Sequence, residues 1–166
     1  MTRGAGFTVT LMAAARVSII AAASDALPRE TGGILLGWRG GGAHEGCTVI
    51  RALEVPDASS SRISYERNSG MAEQAMQVTL RAIADPDIGY VGEWHSHPKN
   101  QTPSRQDRSS IRGTAHLVHG PVALVVPSLR RADPSDWEWH ALVASRRSRI
   151  PGVTVGPAKL LHRENQ

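Results

Sequence analysis

Gly92-Glu-Trp-His-Ser-His-Pro-Lys-Asn-Gln-Thr-Pro-Ser-Arg-Gln-Asp-Arg108 is the stretch that decides how the chain is read. It follows the apolar run that begins at Ile88, and His95 and His97 close that run two residues apart. In an extended strand residues i and i+2 share a face, so both imidazoles project together. Pro98 ends the strand because it lacks the N–H that a ladder requires. Asp107 follows through a turn-rich loop containing Pro103 and Ser104. Two imidazoles and a carboxylate form an N2O donor set that suits zinc, with a fourth tetrahedral position left for water. That layout belongs to a catalytic metal site and not to a closed structural one.

A second reading of the same residues competes with the first. Ser104-Arg-Gln-Asp107 has the spacing of a capping box, with Ser104 as N-cap and Asp107 at the third helical position. A carboxylate turned toward a metal is then expected to be badly placed to reach back to its own helix start.

His95-Ser-His-Pro98, Pro103-Ser-x-x-Asp107 and the upstream block Glu30-Thr-Gly-Gly-Ile-Leu-Leu-Gly37 together resemble the JAMM/MPN-type metalloproteases, and most closely their compact prokaryotic JAB-like branch. The likeness extends over roughly residues 7 to 145. One step departs from the pattern: the family usually has one residue more between the second histidine and the aspartate, which reads as a deletion around residues 99–102. The resemblance implies a single α/β domain with a cytidine-deaminase-like (JAB/MPN) fold, a central mixed sheet flanked by helices. It implies one catalytic zinc ion with bound water, held by His95, His97 and Asp107. It implies Glu30 as the general base and Ser104 as a hydrogen-bond donor to the tetrahedral oxyanion. Glu93 is a rival carboxylate, since strand alternation sets it on the face of the two histidines. The implied activity is an isopeptidase or peptidase acting at the C-terminus of a ubiquitin-like or sulfur-carrier protein. Partner E1- and E2-like enzymes encoded nearby, in a conjugation or anti-phage operon, belong to the same implication. The alternative is a non-catalytic scaffold, as in metal-free members of the family.

Composition agrees with a soluble globular chain of one domain. Net charge is +4 at pH 7, and Arg146, Arg147 and Arg149 give the C-terminal end a basic character. Arginines without interleaved aromatics read as solvated surface and do not by themselves imply nucleic acid. Cys47 is the only cysteine, which excludes an intrachain disulfide and the P-C-x-x-C ligand pair of zinc deaminases. It reads as a small buried residue. Arg16 and Asp25 interrupt the alanine-rich N-terminal run, which reads as a cytoplasmic amphipathic helix and not as a signal peptide or membrane span.

The remaining elements follow from periodicity and turn residues. A strand is expected over 7–11 and a helix over 12–26, with Ala13, Val17, Ile20 and Ala21 facing inward. Strands are expected over 31–38 and 48–55, joined by a glycine-rich turn containing His44. A recognition loop over 57–67, with a short strand at 63–65, precedes a helix over 68–84 buried through Met71, Ala75, Val78 and Ala82. A short helix to about Thr114 leads to strands over 121–126 and 137–143. His116 and His119 form an H-x-x-H pair that reads as structural. Residues 1–145 form the domain in this reading, and 146–166 a basic tail.

Overall fold

The computed structural model describes residues 6–40, 45–57, 59–61, 66–131, 133, 135–147 and 150–164. The turn with His44 and the expected strand at 63–65 lie outside them. Eight strands and three helices alternate as β1 (Thr8–Met12), α1 (Ala13–Ala26), β2 (Gly32–Gly40), β3 (Gly46–Glu54), α2 (Ser69–Ile83), β4 (Gly89–His95), α3 (Arg105–Leu117), β5 (Val122–Leu129), β6 (Trp137–Arg147), β7 (Ile150–Pro157) and β8 (Lys159–Arg163). They build one mixed sheet in the order β7-β6-β5-β4-β2-β3-β1-β8, so the expected α/β architecture holds.

Both sheet faces are covered. Ala15 and Ile19 of α1 pack with Leu35, Val49, Trp94, Ala123 and Val125 on one face. On the other, Ile111 and Ala115 of α3 cover Val122, Leu124 and Val126, while Ala72 of α2 covers Ile34 and Leu36. Every residue of β5 is consequently buried, which explains its unbroken apolar run. β4 lies between β2 and β5, beneath the gap between α2 and α3. Side chains on that face of β4, Glu93 and His95 among them, open into the gap and are not sealed under a helix.

Three expectations are corrected. In α1 the inward face is Ala15, Ile19 and Ala23, and Val17 is 64% exposed. This helix is apolar almost all round, so periodicity carries little information about its orientation. α2 holds two neighbouring apolar stripes, and the one with Ala72, Met76, Leu80 and Ile83 is buried. Met71, Val78 and Ala82, assigned inward from their spacing, are exposed. The segment after Ser145 is not a tail: β6 continues to Arg147, β7 pairs antiparallel with it, and β8 pairs parallel with β1. Proline and glycine obscure these strands in the sequence, yet both residues are tolerated at a sheet edge. No described helix is long and apolar enough to cross a membrane.

Trp94 alternates away from the histidines as expected and is 1% exposed. Its indole N–H donates to the Leu53 carbonyl at 3.2 Å, so it joins β4 to β3 across β2. Trp94→Ala should destabilise the fold by about 3–5 kcal/mol, read as a lower midpoint in urea unfolding.

Candidate metal centre

His95 is the last residue of β4, and His97 lies two residues beyond it in a parallel bridge to Ser128 of β5. The bridge fixes the second histidine through its backbone. The His97 N–H donates to Pro127 O at 2.8 Å, and the Leu129 N–H donates to His97 O at 2.9 Å. The two imidazole Nε2 atoms come within 3.2 Å of each other. Asp107 faces both, with Oδ1 3.1 Å from His95 Nε2 and Oδ2 3.5 Å from His97 Nε2. One donor atom from each residue falls within 4.8 Å of the other two. The shorter step from His97 to Asp107 therefore still closes the triad.

The expected conflict over Asp107 does not arise. Its Oδ2 accepts the Ser104 N–H while its own N–H donates to Ser104 Oγ at 3.1 Å, a complete capping box. The carboxylate caps α3 and faces the histidines together. Burial alone would raise its pKa, but hydrogen bonds from His95 and His97 outweigh burial and hold it far below the usual carboxylate range.

His97 is oriented by its other ring nitrogen, since Nδ1 lies 3.0 Å from the Gln101 carbonyl. A proton on Nδ1 donated there leaves the Nε2 lone pair free for a cation, which is how metal-ligating histidines are usually fixed. Gln101 is held in turn by Ser128, whose Oγ accepts the Gln101 N–H at 2.8 Å and donates to Lys99 O at 2.7 Å. Burial would lower the His97 pKa, but Asp107 and the Gln101 carbonyl raise it above the ordinary histidine value. The donor set, its close approach and this bracing fit a small divalent ion with N and O preference.

Glu30 precedes β2 and is 7% exposed. Its N–H donates to Ser61 O at 2.7 Å, while the next residue, Thr31, exchanges hydrogen bonds with Ser96. Its carboxyl shares one cavity of about 400 Å³ with His95, His97, Ser104 and Asp107. Burial raises its pKa, and the two histidines pull part of that shift back. Glu93 lines the same cavity, but its Oε1 already accepts from Arg67 at 2.9 Å, Tyr90 at 3.0 Å and Thr114 at 3.1 Å. Glu93 is thus braced as a wall of the cavity, and Glu30 is the freer carboxylate.

Sequence reading did not single out Ser96, Gln101 or Ser128. The one available hint was a serine inside the otherwise apolar strand β5. His116 and His119 join no metal-ligating group among the described residues; their carbonyls accept from Arg146 and Arg39 instead. Cys47 is buried as expected, and burial pushes its thiol up to about 12.

Residues 12–141 match the family described as prokaryotic homologs of the JAB domain. The chain belongs to that family. A CD-NTase/cGAS isopeptidase of Pseudomonas aeruginosa is 29% identical over 129 residues, covering 76% of this chain and 61% of the relative. This chain therefore spans less than two thirds of that relative's length. A solution structure of a protein from Desulfitobacterium hafniense superposes with a TM-score of 0.63 at 22% identity, over 95% of this chain and 94% of the other. That likeness shows a shared fold.

Two outcomes test the bracing. Ser128→Ala should weaken zinc affinity roughly tenfold or more, measured by competition with a chromophoric chelator, because the carbonyl that orients His97 loses its anchor. The pH dependence has a definite sign. In the metal-free chain a raised His97 pKa gives stability that is present in acid and lost as pH rises through the folded-state value. The lowered Asp107 pKa gives stability that is lost only in strong acid. A cation needs His97 neutral, so the apparent zinc affinity should begin to fall on acidification above the ordinary histidine range, read by chelator competition across a pH series.

Proposed function

We propose that the chain is a zinc-dependent isopeptidase or peptidase that cleaves at the C-terminus of a ubiquitin-like or sulfur-carrier protein. The observation that carries the reading is the convergence of Glu30 and the Ser104 hydroxyl on one cavity with the His95–His97–Asp107 triad. Membership of the JAB family and the isopeptidase name of the Pseudomonas relative support it. A working site in a ubiquitin-like conjugation or anti-phage operon, beside E1- or E2-like enzymes, belongs to the same proposal.

A zinc ion bound by the triad supplies Lewis-acid polarisation of the scissile carbonyl and makes water acidic enough to attack near neutral pH. Glu30 takes the proton from the attacking water and hands it to the leaving amine as the C–N bond breaks. Burial suits that task, because it raises the pKa and so makes the carboxylate a stronger base toward the water proton than an exposed one. The Ser104 oxygen is occupied as acceptor of the Asp107 N–H, which leaves its own proton to donate to the developing oxyanion. Products are a carboxylate on the ubiquitin-like tail and a free amine. The scaffold alternative drew on the shortened His97–Asp107 step, and with the three donors in place no observation favours it.

Zinc-loaded wild type should cleave a ubiquitin-like protein fused through its C-terminal residue to a reporter peptide. Glu30→Gln should retain its metal and lose about 10²- to 10⁴-fold in kcat. Equal turnover by the zinc-loaded Glu30→Gln variant would remove Glu30 from the mechanism.

A further inference from the structure

The two faces of α3 differ in chemistry. Asp107, Ser110, Ile111 and Thr114 turn toward the cavity and the sheet. Arg105, Arg108, Arg112 and His116 recur at i, i+3, i+7 and i+11, which aligns them on the outer side over roughly 16 Å of helix. Arg105, Arg112 and His116 are exposed and Arg108 is half-exposed. Arg146 of β6 continues the line, its guanidinium donating to the His116 carbonyl at 2.8 Å.

Some surface arginines elsewhere meet carboxylates, as in Arg16–Glu164, Arg130–Glu138 and Arg131–Asp136, and others such as Arg51 and Arg81 meet none among the described residues, so what sets the α3 arginines apart is their alignment on one face. Among the described residues no carboxylate pairs with Arg105, Arg108, Arg112 or Arg146. At the far end of the stripe Leu117 is 86% exposed, the most exposed large apolar side chain described, at the mouth of a second cavity beside Arg146. A row of guanidiniums without carboxylate partners suits carboxylates, which their planar fork binds in bidentate fashion. Phosphates offer the same charge, but single-stranded nucleic acid also needs flat aromatic side chains for its bases, and this face has none. An exposed leucine beside arginines is suited to a protein surface.

We propose that the outer face of α3 docks an acidic protein, whose carboxylates pair with the four arginines and whose apolar side chain covers Leu117. This partner is the protein whose tail enters the cavity behind the same helix; that identification rests on the hydrolase reading, and the docking surface itself does not. The charge row starts beside Asp107, so a body held on it stands next to the metal centre.

The test is fluorescence anisotropy of the zinc-loaded full chain with three labelled probes. They are a glutamate-rich peptide with one leucine, the same peptide with serine for leucine, and an oligothymidylate of equal charge. The leucine peptide should bind best, and more weakly as salt rises. A double Arg108→Glu/Arg112→Glu variant should lose roughly tenfold or more in affinity. Arg112→Lys, which keeps the charge, and Arg130→Glu, which removes a paired arginine elsewhere, should retain most of it. Leu117→Ser should erase the preference for the leucine peptide. Absence of binding, or equal binding by the double variant, would overturn the proposal. Tighter binding of the oligothymidylate would assign the face to nucleic acid, and a dimer abolished by the α3 substitutions would assign it to a second copy of the chain. Binding is read without turnover, so a chain that binds the peptide and hydrolyses nothing refutes the hydrolase reading alone.

Discussion

Asp107 sets the geometry on which the rest of the site depends, because its carboxylate meets two demands at one place. Its Oδ2 accepts the N–H of Ser104, the N-cap residue of α3, and its two oxygens face the imidazoles at and just beyond the end of β4. Helix start and metal centre are consequently one structure. Moving α3 moves Asp107, and removing its carboxylate takes away one of the two capping-box hydrogen bonds while Ser104 Oγ still accepts the Asp107 N–H. A helix N-terminus also favours negative charge, so the dipole of α3 acts with the histidines in keeping Asp107 ionised.

Buried hydroxyls carry the remaining precision. Ser96 links the backbone beside Glu30 to the strand end between the two histidines, and Ser128 links β5 to the loop that orients His97. Both are almost wholly buried, where a satisfied hydrogen bond is directional and an unsatisfied one is costly. The site is thus assembled from a strand end, a helix start and the loops beside them, and those loops are pinned to the packed sheet. A residue shorter between His97 and Asp107 is tolerated because the pins act on Lys99 and Gln101, and α3 starts from its own cap.

The grouping of His95, His97 and Asp107 was legible because spacing encodes local geometry, two residues for one strand face and three for a helix cap, whereas the roles proposed for Glu30 and Ser104 came from the family resemblance. The core strands were legible from spacing too. Helix orientation was not. α1 offers alanines on every side, and in α2 two apolar stripes run next to each other, so burial is decided by which stripe meets the sheet. Ser128 and Gln101 matter only through contacts between segments distant in sequence, and β7 and β8 are defined by the strands they join. The row of arginines on α3 stood in plain view, but it acquires meaning only once the fold shows which face of the helix is turned outward.

The most direct measurement is elemental analysis of purified wild type and His97→Ala after exposure to zinc and removal of excess metal. About one zinc per chain in the wild type and none in His97→Ala is the expected result. Wild type that takes up no zinc, or His97→Ala that holds as much as wild type, would contradict the assignment of His95, His97 and Asp107 as a metal centre.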